Sequence, residues 1–394
     1  MKKVQLLLLM ALMAGATFFT SCNDDDDPII TEIEEEEFDI SANITTNTTW
    51  ETGNVYHLKS RIAVESGATL TIEPGVIIKG DAGTGANATA LIIARGAKIM
   101  AEGTATSPII FTSVADNIMP GEISSPNLDP TLNGLWGGLI VLGKANISVS
   151  TGTEAQIEGI PATDTNGLYG GSDDTDNSGI IKYVSIRHGG ANIGEGNEIN
   201  GLTFGGVGSG TTVENIEIVS NQDDGVEFFG GTVSVKNVVC WNVGDDALDT
   251  DQAYAGTIDN ALVINPGDEC FELDGPEGSY QGAGHTIKNV TVKAGAAQGL
   301  IDFDATTDVN MMNIYFYDMV AGQDVEEYAA YSANTLGFAS SAFQTTLPSG
   351  VVLADVFAGG ADAITTEVAE GSNTVGATLS AFTGWTWASL SSAY

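Results

Sequence analysis

Basic residues are scarce in this chain. Its 13 Lys plus Arg stand against 52 Asp plus Glu, for a formal net charge of -39. A surface this acidic repels phosphate backbones and anionic headgroups, which excludes nucleic-acid binding and electrostatic membrane docking. It suits a highly soluble, extracytoplasmic protein that attracts cations. Arginine occurs only at Arg61, Arg95 and Arg187, and histidine only at His57, His188 and His285. There is no nucleophile elbow, phosphate loop or zinc-ligand spacing. Aromatic residues make up 7% of the chain and cysteines number three. Cys240 and Cys270 fall in successive repeats but at different positions within them. A disulfide needs Cα atoms within about 7 Å, so two buried free thiols are expected.

Long apolar runs are absent except at the start. Lys2 and Lys3 precede an apolar stretch from Leu6 to Phe19, too short for a stable membrane span. It ends in a small residue before Cys22, as in a bacterial lipobox. Residues 1–21 then form a lipoprotein signal peptide, and Cys22 becomes the lipidated first residue. Triacylation there anchors a protein stably. Asn23 and Asp24–Asp27 follow at once, resembling the acidic export signal of Bacteroidetes-type surface lipoproteins. The acidic run through Glu37 reads as a self-repelling tether over residues 22–40.

What the chain has in quantity is glycine, 49 residues, and a repeat. Asparagine recurs at Asn215, Asn237, Asn260, Asn289 and Asn313, and an acidic pair recurs in step at Asp223–Asp224, Asp245–Asp246 and Asp268–Glu269. A period in the low twenties, with β-branched runs and glycine corners, predicts a β-solenoid. The fold expected is all-β, a right-handed parallel β-helix over residues 41–320. Residues 321–394 supply C-terminal coils and a cap, with Phe382, Trp385 and Trp387 over the open apolar end. Residues 114–134, with three prolines, and residues 159–179 read as loops. The recurring asparagine, at a strand boundary, is assigned to hydrogen bonding of turn backbone within and between coils. After it, Ile216 and Ile218, Val238 and Cys240, Ala261 and Val263, and Val290 and Val292 point inward.

The ordered segments 170–190, 201–216, 223–233, 244–258 and 382–389 together resemble a mostly uncharacterised family of bacterial surface proteins. The resemblance implies a parallel β-helix and a location in the outer membrane, exposed on the cell surface; it implies no reaction. The acidic DDG turns also resemble calcium-binding turns of β-helical polysaccharide lyases.

Stacking places Asp223, Asp245 and Asp268 in one column and Asp224, Asp246 and Glu269 in its neighbour. Glu227, Asp249 and Glu272 follow on the next strand. Residues 223–304 hold fifteen carboxylates and three lysines. Like charges at a spacing of about 4.8 Å call for a counter-ion or raised pKa values. Hard oxygen ligands from several turns suit Ca²⁺. A second calcium candidate is Asp174, Asp176 and Ser178, which lacks the terminal glutamate of an EF-hand. The outward column at Trp241, Leu262, Ile264 and Tyr315 is apolar. It is either a sugar-stacking or partner platform or a face covered by another segment.

A lyase needs a base beside its metal, and none of the arginines falls in the acidic coils. Lys236 and Lys288 directly precede the recurring asparagine, away from the acidic turns. A glycoside hydrolase could draw on Asp245, Asp246 and Asp268, with His285 nearby. The reading reached is a lipid-anchored, calcium-binding β-helix that binds a polysaccharide or an outer-membrane protein without catalysis. The alternatives are a polysaccharide lyase or hydrolase acting at residues 223–274, or a structural subunit of an outer-membrane complex.

Overall fold

The computed structural model describes residues 36–193, 199–334 and 343–394. The signal peptide, Cys22 and the Asp24–Asp27 run lie outside them. The chain winds as a parallel β-helix whose coils present three faces. Two faces join in one long sheet. In the early coils they are separate strands: Thr48–Trp50, Thr69–Ile72 and Lys98–Glu102 on face A, with Val55–Leu58, Ile77–Gly80 and Ile109–Ser113 on face B. From Gly179–Arg187 onward, each coil runs through both faces as one long strand: Thr212–Val219, Ser234–Trp241, Thr257–Ile264, His285–Lys293 and Val309–Tyr317. Face C is an eight-stranded sheet running from Arg61–Val64 through Val226–Phe229 and Leu248–Asp251 to Asp302–Phe303. The first strand, Glu37–Ile40, corrects the extent of the acidic tether. It pairs with Val55–Leu58, and Phe38 stacks on Tyr56 with ring centroids 5.2 Å apart.

The bend between faces A and B explains the asparagine repeat. Asn215, Asn237, Asn260, Asn289 and Asn313 all have φ between 58° and 68°, the left-handed region that asparagine tolerates better than other side chains. They lie inside the long strands rather than at their boundaries. Their amides bond one another rather than turn backbone. Asn237 Nδ2 donates to Asn215 Oδ1 at 2.8 Å, and Asn260 Nδ2 to Asn237 Oδ1 at 2.7 Å. The ladder breaks at the longest repeat, where Asn289 Nδ2 donates to Asp259 Oδ1. Asn260 Oδ1 there accepts the backbone N–H of Thr378. Asn237→Ala loses the left-handed preference and both ladder bonds, and is expected to cost about 2 kcal/mol by urea denaturation.

The inward residues are as the alternation predicts. Ile216, Ile218, Val238, Cys240, Ala261, Val263, Val290 and Val292 all belong to the central apolar core, and both described cysteines are free and buried. The last coils are closed by Tyr328, Tyr331, Phe343, Val356 and Phe357, which join that core. Phe382, Trp385 and Trp387 do not close the end. They lie along face B on Val219, Val239, Trp241, Leu262 and Ile264. The loop at 114–134 packs on the coils as well. It lies over face B of the earlier coils, with Ile118 packed on Val55, Ile77 and Ile110. Its Pro130 carbonyl accepts from Ser220 Oγ and from Asn242 Nδ2. Each segment covers outward apolar columns that would otherwise face water.

Candidate acidic cleft

Face C carries one outward column whose chemistry changes partway along. In pairing register it runs Ala63, Ile92, Ile140, Thr203, Glu227, Asp249, Glu272, Asp302. The hairpin Glu154–Gln156 and Leu168–Gly170, whose second strand falls in the stretch 159–179 read as loop, covers the apolar part through Ile157, Ile160 and Tyr169. Past Thr203 the column turns acidic. A cleft of about 220 Å³ opens there, lined by Glu158, Asp223, Asp224, Glu227, Asp245, Asp246 and Glu272. Among the described residues that line it there is no Lys, Arg or His.

The acidic turns beside it are built as a second ladder. The Asn200 Oδ1 accepts the Asp224 N–H, Asp224 Oδ1 accepts the Asp246 N–H at 3.0 Å, and Asp246 Oδ1 accepts the Glu269 N–H at 2.6 Å. One carboxylate oxygen of Asp224 and one of Asp246 thus tie successive coils together. Asn200 also donates Nδ2 to Glu158 and Glu227. It had no sequence signal, because it precedes the regular repeat.

Two groups of carboxylates have oxygens within 4.8 Å of one another: Asp223, Asp224 and Asp245, and Asp224, Glu227 and Asp249. All three of the second group are buried. Asp249 is 7% exposed, and its Oδ1 has no hydrogen-bond partner. Burial, then mutual repulsion, pushes Asp224, Glu227 and Asp249 far above the usual carboxylate range. Burial and Asp224 push Asp246 up to about 11. Burial also raises Asp251 to about 8 and Glu269 to about 7. Buried carboxylates without basic partners must take up protons or a cation. An all-oxygen donor set with a spare buried oxygen fits a hard divalent cation such as Ca²⁺.

Other sequence candidates fall elsewhere. Asp268 lies beyond the cleft lining. His285 does not join the carboxylates. Its Nε2 lies 3.3 Å from Thr250 Oγ1, whose register partners Phe228 and Leu273 are core residues. Neighbouring side chains on a strand point to opposite faces, so Thr250 faces inward while Asp249 faces the cleft. Burial depresses the His285 pKa to about 3 and keeps the ring neutral. Asp174 Oδ1 accepts from the Asn146 backbone and amide, and Asp176 Oδ2 from Ser178 Oγ, so this turn spends its side chains on protein donors.

Trp241, Leu262 and Ile264 are not an open platform, because Trp385 and Trp387 cover them; Trp241 meets Trp387 edge-on at 5.8 Å. Tyr315 is buried too. Lys236 and Lys288 sit on face A in a column of alternating sign: Glu102, Lys182, Glu214, Lys236, Asp259, Lys288. Such cross-strand pairs stabilise a sheet, and they hold these lysines away from the cleft.

A family model described as a pectate-lyase like beta helix domain matches residues 42–387. No curated protein and no solved structure matches the chain significantly.

Proposed function

The chain belongs to the pectate-lyase-like β-helix family, and on that premise we propose that it is a surface protein that binds Ca²⁺ in its acidic cleft. Lipid on Cys22 tethers it to the outer membrane. The bound cation presents open coordination positions to hydroxyl or carboxylate groups of a polysaccharide or of an envelope protein. The observation that carries this reading is the buried trio Asp224, Glu227 and Asp249 with the unpartnered Asp249 Oδ1. Three carboxylates at such separation are compatible with ionisation only if a cation joins them.

The reading is non-catalytic because the cleft lining offers no Lys, Arg or His to take a proton from a sugar carbon. A glycoside hydrolase is the second reading. Asp246, held protonated at neutral pH, lines the same cleft as Asp245, which would place an acid beside a second carboxylate. A structural subunit of an outer-membrane complex is the third, and would reveal itself by a partner that co-purifies in mild detergent.

Calorimetric titration of the metal-stripped protein with CaCl₂ tests the cation. Saturable binding is expected, with affinity about a hundredfold weaker in Asp249→Asn, which removes one charged ligand from the set. A flat titration of the folded wild-type protein would overturn the proposal. Cleavage of any polysaccharide that disappears in Asp246→Asn would replace it with the hydrolase.

A further inference from the structure

The outward columns of face B do not stay covered along their whole length. One runs Arg187, Val219, Trp241, Ile264, Lys293, Tyr317 in register. The C-terminal segment covers Val219 to Ile264. It ends at Lys293, whose Nζ donates to the carbonyl of Ala393 at 2.7 Å. One coil further on, Tyr317 is only half-buried and borders an open cleft of about 460 Å³.

This second cleft is built differently from the acidic one. Tyr317 stacks on Tyr315 with ring planes 5° apart, which fixes the ring's orientation. Tyr315 is itself anchored through its hydroxyl to Thr346 Oγ1 at 2.8 Å. Met319, Leu347 and Pro348 add apolar walls, and Lys293, Asp318 and Glu370 add polar groups at the rim. Half-buried and fixed, the ring costs little conformational entropy to use as a contact surface.

We propose that this cleft is a binding subsite for a neutral sugar ring, separate from the acidic cleft. A pyranose has one face of C–H groups and a rim of hydroxyls. The first matches a fixed aromatic face, and the second matches carboxylates that accept from adjacent hydroxyls. The volume lies in the range of small-ligand sites and holds one to two rings. Charge selects against acidic ligands. Asp318 and Glu370 outnumber Lys293 in the lining, so its net negative charge repels a uronate or a phosphate. The subsite extends the glycan reading above but does not depend on the cation. On a long polymer the two clefts would act as linked sites, where the second contact gains from effective concentration.

Titration of the calcium-loaded protein with neutral oligosaccharides, including gluco-, manno-, galacto- and xylo-oligomers, tests the proposal. At least one is expected to bind, and Tyr317→Ala to weaken it by about tenfold or more. Tyr317→Phe, which keeps the ring, is expected to retain most of the affinity. Binding should persist in EGTA and in Asp249→Asn, which separates this site from the acidic cleft. The proposal is overturned if no neutral oligosaccharide binds, or if Tyr317→Ala, folded by circular dichroism, binds as wild type. It is also overturned if binding disappears with calcium, which would assign the sugar to the acidic cleft.

Discussion

In EGTA, the protein is expected to lose stability steadily as the pH rises from 5 to 9, and saturating Ca²⁺ is expected to remove that slope. Asp224, Glu227, Asp246 and Asp249 each hold a proton more tightly folded than unfolded, because burial and neighbouring carboxylates oppose ionisation. The stabilisation from these raised pKa values is complete below the ordinary carboxylate range. It is lost as the pH climbs through the folded values: about 6 for Asp274, about 7 for Glu269, about 8 for Asp251 and about 11 for Asp246. Each extra proton held by the folded state adds about 1.4 kcal/mol per pH unit. Glu269 and Asp274 are discounted for solvent screening, and the fall from pH 5 to 9 should still reach about 3 kcal/mol or more. Calcium binds the ionised carboxylates, and a thousandfold excess over Kd restores about 4 kcal/mol. Urea denaturation at each pH, with and without calcium, reads both effects. A flat profile in EGTA would mean that the cleft is wetter and its charges better screened than the burial implies.

Glu217→Ala is expected to destabilise the protein by about 3–5 kcal/mol, the cost of leaving a buried charge without its partner. Glu217 and Arg187 are both fully buried beneath the C-terminal segment, 3.6 Å apart. Ser185 links them. Its hydroxyl accepts from Arg187 Nε at 2.8 Å and donates to Glu217 Oε2 at 2.6 Å. Glu217 Oε1 accepts the Ala388 N–H, and the Arg187 guanidinium lies 5.1 Å from the Trp387 ring centroid. The pair therefore holds the cover down as well as neutralising itself. Trp387→Ala should cost a similar amount through the cavity it leaves over Trp241. The double change Arg187→Met with Glu217→Leu should recover most of the loss, since an apolar pair removes the desolvation cost. Recovery absent from equilibrium denaturation would show that packing of the segment, not charge pairing, dominates.

Much of this molecule was legible before any coordinates. The asparagine spacing located the bend of the long coils from Thr212–Val219 onward, and the alternation after it placed Val238, Cys240 and Val263 in the core. The acidic pairs were legible as columns, because equal spacing in a solenoid means stacking in space. What could not be read was which outward column meets water. For Trp241 the sequence left an open platform and a covered face as alternatives, because its cover is made by residues far along the chain. Ala388, which caps Glu217, is 171 positions away. His285 looked close to the acidic turns in sequence, yet its side chain points to the other side of the sheet. Asn200 begins the acidic ladder from a turn with no repeat signature.

The sequence by itself determined the coil. Its period, its inward apolar residues and its stacked carboxylates are local patterns that repeat, and each coil pairs with the next in register. Only the tertiary structure decided which faces stay open. The hairpin at 154–170 covers the apolar part of the face C column, and the C-terminal segment leaves the Trp241–Tyr317 column at Lys293. Beyond those two covers lie the acidic cleft and the Tyr317 cleft. Coverage is set by where distant segments land and what they bury, a balance of apolar area and hydrogen bonds that no single repeat encodes.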